Sequence, residues 1–306
     1  MDACPRSQTA EIAAALRVWH TRLDDPPMIF DDRAVLPLLE PGTRRLVEPP
    51  PPLLAMQLRA LEGLQPELAA LRGQTVIRAR FAEDALDAAL ERGHQQVVVL
   101  ASGLDTTAIR RPDILARAAL VEVDAPATQQ WKHERLPAEV AARIRLVAAD
   151  LTRDPLSRHL LDAGLDPQAP LFAHWLGCTY YLPPEAIGTT LAELARVAAP
   201  GSELVADYWV PPSAVPWQPR MLLSGVALAL DLQEEPLRGL LSAEAMHRLA
   251  TTNGWQVVED LDASALRKRW LTGRRDSLSV PAFGRCLRLL RADAPRAPTG
   301  GGAPGA

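Results

Sequence analysis

The hydrophobic pattern of this chain alternates between two periods. Short apolar runs, typical of buried β-strands, are separated by stretches in which apolar residues recur every three or four positions, as in amphipathic helices. The runs predict seven strands, over residues 97–101, 120–123, 144–148, 170–176, 203–208, 256–258 and 285–290. Strands separated by helices need crossover connections, so we predict an α/β fold with a doubly wound, mostly parallel sheet.

The first part of the chain lacks such runs and predicts helices. Apolar residues recur at helical spacing from Thr9, the candidate N-cap, to Trp19. The pattern is helical again over residues 53–71, after the four prolines 49–52, and over residues 79–92. We therefore predict three segments. They are a helical cap over 1–75, a core over 76–292 and a disordered tail over 293–306.

A segment rich in Pro and Trp follows the fifth predicted strand and opens an insertion over about residues 209–250. An insertion beyond the carboxyl end of a strand is well placed to cover a pocket. We expect the roof of that pocket around Trp209, Trp217 and Met221. The hydrophobic pattern of this segment is weak, so the sequence does not identify the substrate that the pocket binds.

Composition limits the partners of the chain. The 48% hydrophobic content suffices for a large core, and 33 basic and 37 acidic residues are mixed along the sequence, with a net charge of −4. No basic stripe favours nucleic acid, and no segment has membrane-spanning length. The cysteines Cys4, Cys178 and Cys286 are too far apart for a disulfide framework or a clustered metal site. We expect a soluble, cytoplasmic monomer or homodimer without a metal, a nucleic-acid partner or a membrane partner.

The most informative segment is the strand, turn and helix start at residues 97–107, Val-Val-Val-Leu-Ala-Ser-Gly-Leu-Asp-Thr-Thr. The turn after a buried parallel strand is where such sheets bind nucleotide-like ligands. A G-x-G-x-x-G fingerprint is missing, since only Gly103 is present and Asp105 would repel a phosphate. A ligand with adenosine and a zwitterionic tail, such as S-adenosyl-L-methionine, tolerates that carboxylate. An ordinary structural corner is the alternative, and a nicotinamide dehydrogenase is weakly supported.

Acidic residues follow three successive strands. Asp105, Asp124 and Asp150 should meet at one edge of the sheet, because the carboxyl ends of parallel strands lie side by side. Asp124 has the spacing from the glycine turn at which an acidic residue binds ribose hydroxyls. Asp150 and Leu151 would then contact the adenine. Aspartates also end strands and cap helices for structural reasons, so this interpretation depends on the three together.

These segments resemble the leucine carboxyl methyltransferase family. The resemblance covers roughly residues 9–290 and rests on Gly-Leu-Asp-Thr at 103–106, Glu-Val-Asp-x-Pro at 122–126, Asp150-Leu151 and Tyr-Leu-Pro-Pro-Glu at 181–185. It implies a seven-stranded, Rossmann-like fold of the class I S-adenosyl-L-methionine-dependent methyltransferases. It also implies that Arg78 pairs with the methionine carboxylate of this cofactor.

The same resemblance places Ala101 and Gly103 in the turn beside the methionine part of the cofactor. The family usually has Gly in place of Ala101, so this chain adds a methyl group there. It usually has Glu in place of Leu176, an acidic contact that this chain lacks. The form Trp-Leu-Gly-x-Thr at residues 175–179 resembles members associated with natural-product pathways, which favours a small metabolite as the acceptor.

The expected reaction is methyl transfer to an oxygen of a small molecule. A carboxylate is ionised at neutral pH, whereas a phenol, with a pKa of about 10, usually needs a base. His174 is the nearest candidate base, although a lone histidine in an apolar strand is more often structural. We predict carboxyl O-methylation, with Tyr180 or Tyr181 either orienting the substrate oxygen or packing in the core. A phenol or hydroxyl O-methyltransferase and a non-catalytic cofactor-binding protein are the alternatives.

Overall fold

The computed structural model describes residues 7–48, 52–64 and 67–291. The strands of this part of the chain are β1 (Gln96–Leu100), β2 (Ala119–Asp124), β3 (Ile144–Ala148), β4 (Leu171–Trp175), β5 (Glu203–Trp209), β6 (Trp255–Leu261) and β7 (Gly284–Arg291). They form one seven-stranded sheet in the order β3-β2-β1-β4-β5-β7-β6. The strands from β1 to β5 pair in parallel, and β7 pairs antiparallel with β5 and β6. The predicted mostly parallel sheet is confirmed.

The strands are continuous apolar runs because both faces of the sheet are covered. In β1, Val97 and Val99 belong to the hydrophobic cluster on one face, and Val98 and Leu100 to the cluster on the other. A strand covered on only one face would instead alternate apolar and polar residues. This two-sided burial is why the strand positions are readable in the sequence.

Helices connect the strands and precede the sheet. The described helices are α1 (Gln8–Leu23), α2 (Pro41–Val47), α3 (Pro52–Leu64), α4 (Glu67–Glu91), α5 (Thr107–Arg110), α6 (Pro112–Arg117), α7 (Pro126–His133), α8 (Ala138–Ala141), α9 (Leu156–Asp162), α10 (Pro184–Val197), α11 (Trp217–Asp231), α12 (Ala243–Thr252) and α13 (Ala263–Trp270). Short 3₁₀ turns occupy Arg33–Leu38, Thr179–Tyr181 and Pro212–Ala214. None of the described helices has both the length and the apolar character needed to cross a membrane.

The N-terminal helices differ from the prediction in two ways. Ser7, not Thr9, is the N-cap of α1, because its extended backbone directs its Oγ to accept from the backbone N of Ala10 at 3.2 Å. The helix predicted over residues 53–71 corresponds to α3 (Pro52–Leu64) and the first residues of α4 (Glu67–Glu91), and residues 65 and 66 lie outside the described residues. Helix α4 then runs through residue 75 without interruption, so the predicted end of the cap falls inside a helix that also packs on the sheet.

The insertion after β5 contains α11 and most of α12. Val226, Leu230 and the loop 232–236 line the cavity described below, as expected for a roof. Trp209 lines it too. Trp217 and Met221 do not, because their side chains are 69% and 68% exposed. The predicted tail over residues 293–306 lies outside the described residues.

Candidate active site

A cavity of about 800 Å³ lies at the carboxyl ends of the central parallel strands. Residues of α1, α4, the turn after β1 and the insertion line it. It collects nine of the predicted site residues, namely Arg78, Ala101, Gly103, Asp105, Asp124, His174, Leu176, Tyr180 and Tyr181. Asp150 and Leu151 are not among the lining residues.

Asp124 fixes the turn after β1. Its Oδ2 accepts from the backbone N of Gly103 at 2.5 Å, and its Oδ1 accepts from the backbone N of Ala125 at 2.7 Å. Burial raises the pKa of this carboxyl group, against the effect of these two hydrogen bonds. Ala101 has a φ of 49° and Gly103 a φ of 47°, both in the left-handed region. This conformation is strained for alanine, which agrees with the glycine that the family usually has in place of Ala101.

Two residues of the N-terminal region hold the same turn from its other side. Nη2 of Arg17 donates to the backbone O of Leu104 at 2.7 Å, and Nε of Arg17 donates to Oδ2 of Asp32 at 2.5 Å. Oδ1 of Asp32 accepts from the hydroxyl of Thr106. Neither Arg17 nor Asp32 was predicted as a site residue. They make the N-terminal helices part of the cavity rather than a separate layer.

Arg78 is buried on α4 with its guanidinium at the cavity. Nη1 donates to the hydroxyl of Tyr180 at 2.8 Å and to Oδ2 of Asp207 at 3.1 Å. Burial disfavours the charge, but Tyr180 and Asp207 raise the pKa of Arg78 above its ordinary value. The site therefore contains a permanently charged, oriented guanidinium.

Asp207 and Gly177 contact Arg78 at the cavity and were not among the predicted site residues. Oδ1 of Asp207 accepts from the backbone N of Gly177 at 2.6 Å, so one carboxylate binds both the loop after β4 and Arg78. A Cβ at Gly177, where φ is 73°, would lie 2.6 Å from Nη2 of Arg78. The signal in the sequence is a lone aspartate inside the apolar run 204–209, because a buried carboxylate requires a partner.

His174 and Asp105 form the titratable centre of the cavity. His174 is buried in β4, and its Nδ1 has no hydrogen-bond partner within the described residues. Burial lowers the pKa of His174, although the charge of Asp105 opposes this. Burial raises the pKa of Asp105, but His174, Lys132 and the backbone N–H of Thr107 together bring it down to about 2. A neutral imidazole therefore lies near an ionised carboxylate at neutral pH.

The other titratable groups on this side of the cavity keep their protons. Burial raises the pKa of Tyr180 well above its usual value and that of Tyr181 to about 12. Burial likewise raises the pKa of the Cys178 thiol to about 12. None of these three is a base or an anionic nucleophile at neutral pH.

Asp150 closes the turn that follows β3. Its Oδ1 accepts from the backbone N of Thr152 at 2.8 Å and from the hydroxyl of Thr152 at 2.6 Å. The side chain is 38% exposed and lies near Arg153. A contact of Asp150 and Leu151 with adenine stays a prediction.

A seven-stranded sheet of this order, with β7 antiparallel and a cavity at the carboxyl ends of the parallel strands, has the class I methyltransferase fold. The family model Leucine carboxyl methyltransferase (LCM) matches residues 10–195, more than half of the chain. The chain belongs to the leucine carboxyl methyltransferase family, and through this membership it is an S-adenosyl-L-methionine-dependent methyltransferase.

Individual relatives agree with this assignment. A candidate S-adenosyl-L-methionine-dependent methyltransferase of Bacillus subtilis (strain 168), YktD, is 26% identical over 291 residues, which cover 90% of this chain and 94% of that protein. Another from Mycolicibacterium smegmatis (strain ATCC 700084 / mc(2)155) is 35% identical over 207 residues, 65% of this chain and 66% of that protein. A solved structure of a candidate methyltransferase from Thermobifida fusca YX has a TM-score of 0.57 at 16% identity. It covers 94% of this chain and 96% of that one, and it shows the shared fold.

Proposed function

We propose that this protein methylates a carboxylate of a small metabolite and so forms a methyl ester. The cofactor, when bound, supplies a methyl group on a sulfonium sulfur. The enzyme's part is then to align an acceptor oxygen with that group and to keep water away. The cavity volume of about 800 Å³ lies within the range of roughly 300–1,000 Å³ typical of small-molecule pockets.

The residues of the cavity fit S-adenosyl-L-methionine. Arg78 offers a planar fork for the methionine carboxylate, and Asp124 offers carboxylate oxygens for the ribose hydroxyls. Oγ of Ser102 and Nδ1 of His174 are buried polar atoms without partners among the described residues. Such atoms are stabilised when a ligand supplies the missing hydrogen bonds. Asp105 stays ionised, which disfavours a phosphate-bearing ligand in the same turn.

The weak basicity of His174 and Asp105 supports the proposal of a carboxylate acceptor. The pKa of His174 is lowered by burial, and that of Asp105 is about 2, so neither is suited to remove a proton from a phenol. A carboxylic acid, with a pKa near 4, is already ionised and needs no base. This nucleophile therefore matches the groups that the cavity presents.

We assign to Tyr180 the role of orienting that carboxylate. Its hydroxyl oxygen accepts from Nη1 of Arg78 at 2.8 Å. The hydroxyl hydrogen is then available to donate to a carboxylate oxygen of the molecule that is methylated. Tyr181, at 4.7 Å between ring centroids, supports the ring of Tyr180 edge-on. Leu176 lines the cavity where the family usually has a glutamate, so an apolar surface meets the ligands here. This favours a small organic metabolite, as in natural-product pathways.

Transfer of a tritiated methyl group tests the proposed chemistry. The purified protein is incubated with labelled S-adenosyl-L-methionine and with paired aromatic acids and phenols, and the products are treated with mild alkali. We expect label in the acids and its release as methanol, because alkali cleaves methyl esters. An alkali-stable product would be an ether and would contradict the proposal.

An ether-forming phenol or hydroxyl methyltransferase is the second candidate. His174 favours it, since this residue lines the cavity and its buried Nδ1 has no hydrogen-bond partner in the described part of the chain. The variant His174→Gln separates the two. It retains methyl transfer to acids under the carboxylate proposal and loses transfer to phenols if the imidazole is a base. If the cofactor binds but no acid or phenol is methylated, the protein is a non-catalytic binder.

A further inference from the structure

The side-chain amide of Gln74 is buried without a hydrogen-bond partner among the described residues. Both Oε1 and Nε2 lack one, and the residue is only 1% exposed. Gln74 nevertheless lines the cavity, one helical turn before Arg78 on α4. Burying an amide in this way destabilises the folded chain, whereas methionine would fill the same space at no such cost. A ligand that satisfies the amide accounts for its presence.

Two glycines hold this amide in position. A Cβ at Gly284 would lie 2.3 Å from Oε1 of Gln74, so the amide packs directly on the backbone of β7. A Cβ at Gly73 would lie 1.7 Å from the backbone O of Ser279, so α4 makes a close backbone approach beside Gln74. The amide is therefore held in place before any ligand arrives.

Trp209 carries a second unpartnered donor, on the strand that pairs with Gly284. It pairs with Gly284 across the ladder of β5 and β7, and its Nε1 lacks a partner in the part of the chain that is described. Its ring stacks on Tyr180 at 4.1 Å between centroids and meets Phe283 edge-on at 4.8 Å. The indole is thus fixed, and its N–H can only donate.

This pair lies away from the residues assigned to the ribose. Trp209 ends β5, two strands from β1 and three from β2, which carries Asp124. One strand spacing is about 4.8 Å, so β1 and β5 are roughly 10 Å apart. The guanidinium of Arg78, one helical turn further along α4, is paired with Asp207, and the side chains of Gln74 and Trp209 are themselves uncharged. The group recognised here is therefore a neutral acceptor.

We propose that Nε2 of Gln74 and Nε1 of Trp209 bind the oxygen of a neutral carbonyl group in the methyl acceptor. The acceptor is then a carboxylic acid that carries a second, non-reacting carbonyl, such as a ketone, amide or lactone. This inference rests on the proposed function, because it takes the cavity to hold an acceptor acid beside the cofactor.

Matched acids that differ in one oxygen test this subsite. The probes are 3- and 4-acetylbenzoic acid and the corresponding isopropenylbenzoic acids, in which C=CH₂ replaces C=O with nearly the same shape. Binding is measured by calorimetry on the protein saturated with S-adenosylhomocysteine. We expect at least one acetyl acid to bind about tenfold more tightly than its partner, and Gln74→Met and Trp209→Phe each to reduce this preference to about twofold.

The controls separate the subsite from the fold and from the cofactor site. Gln57→Met, at an exposed position of α3, should change nothing. Gln74→Met should leave the affinity for S-adenosylhomocysteine unchanged and raise the melting temperature by about 2–4 °C, since it removes an unsatisfied buried amide. A lower melting temperature would make the amide structural, and weaker S-adenosylhomocysteine binding would assign it to the cofactor.

The remaining outcomes also distinguish this inference from the proposed function. Equal binding of acetyl and isopropenyl acids, or binding of neither to the S-adenosylhomocysteine complex, overturns the carbonyl subsite and leaves methyl transfer to other acids in place. A protein that forms only alkali-stable products has lost the proposed function, whatever its preference between the two acids.

Discussion

The guanidinium of Arg78 and the carboxylate of Asp207 form a buried ion pair, with Nη1 3.1 Å from Oδ2. The other oxygen of Asp207 binds the backbone N of Gly177, so the pair joins α4, β5 and the loop after β4. Removing one member of a buried pair leaves the other charge uncompensated. Asp207 is thus important both for the fold and for the orientation of Arg78.

Asp207→Asn should lower the free energy of unfolding by about 3–5 kcal/mol, because Arg78 then carries a buried charge without a counterion. Chemical denaturation measures this loss. The matched control is Asp84→Asn on α4, whose partner Arg80 is 47% exposed; it should cost about 1 kcal/mol or less. Similar losses of unfolding free energy in the two variants would show that the buried ion pair stabilises the fold no more than the exposed one.

Asp124→Ala should weaken the binding of S-adenosylhomocysteine by about 1–3 kcal/mol in a calorimetric titration. It removes the proposed acceptor for the ribose hydroxyls and the contact that holds Gly103. Asp162→Ala, at an exposed position of α9, is the control. An unchanged dissociation constant for Asp124→Ala would remove this residue from the cofactor site.

Asp150→Ala, measured beside it, decides the predicted adenine contact. The carboxylate of Asp150 binds Thr152 in the structure, so its loss weakens S-adenosylhomocysteine binding only if it also reaches the ligand. If the variant binds S-adenosylhomocysteine as tightly as the unaltered protein, Asp150 only stabilises the turn after β3 and does not contact the ligand.

The strands could be predicted from the sequence because burial on both faces leaves an unbroken apolar run, as in residues 97–101. The contact between Asp124 and the turn after β1 could be predicted because β2, which ends at Asp124, is the next strand in the chain and lies beside β1 in the sheet. The length of α4 could not, since the apolar pattern predicts separate helices over 53–71 and 79–92, whereas α4 runs without interruption over Glu67–Glu91.

The buried polar partners were beyond prediction for a different reason. Arg78 and Asp207 are 129 residues apart, and Asp32 and Thr106 are 74 residues apart. No local spacing relates such pairs; only the packing of the N-terminal helices on the sheet brings them together. Gln74 gives no signal at all in the sequence, because its significance lies in the partner that it lacks.

Ala101→Gly should raise the free energy of unfolding by about 1 kcal/mol and should strengthen S-adenosylhomocysteine binding. Glycine relieves the left-handed strain of about 1–2 kcal/mol but adds freedom to the unfolded chain, which offsets about 0.4–1 kcal/mol. It also removes a methyl group that faces the cavity. The control Ala79→Gly, inside α4, should cost about 1 kcal/mol. An equal cost at both positions would contradict the strain at Ala101.

His174→Gln should flatten the dependence of stability on pH between about pH 5 and 6.5. Burial lowers the pKa of His174, so as the pH falls below about 6.5 the unfolded chain takes up a proton that the folded chain does not. Stability therefore falls with decreasing pH, by at most about 1.4 kcal/mol per unit. Asp105 is ionised in both states throughout this window.

Denaturation at a series of pH values gives this slope. His133→Gln, at an exposed position of α7, should keep the slope of the unaltered protein. If His174→Gln also keeps this slope, the imidazole has the same pKa in the folded and unfolded chains. That result would contradict the lowering of its pKa by burial.

The binding of two ligands to Arg78→Lys is the sharpest single measurement of where the cofactor lies. S-Adenosylhomocysteine carries the amino acid carboxylate, whereas 5′-methylthioadenosine lacks it and keeps the adenosine. Lysine retains the charge opposite Asp207 but not the fork, so the variant should bind S-adenosylhomocysteine about tenfold more weakly and 5′-methylthioadenosine as before. Arg80→Lys, at an exposed position of the same helix, should alter neither affinity. Equal losses for the two ligands, or no loss for either, would mean that Arg78 does not hold the cofactor carboxylate.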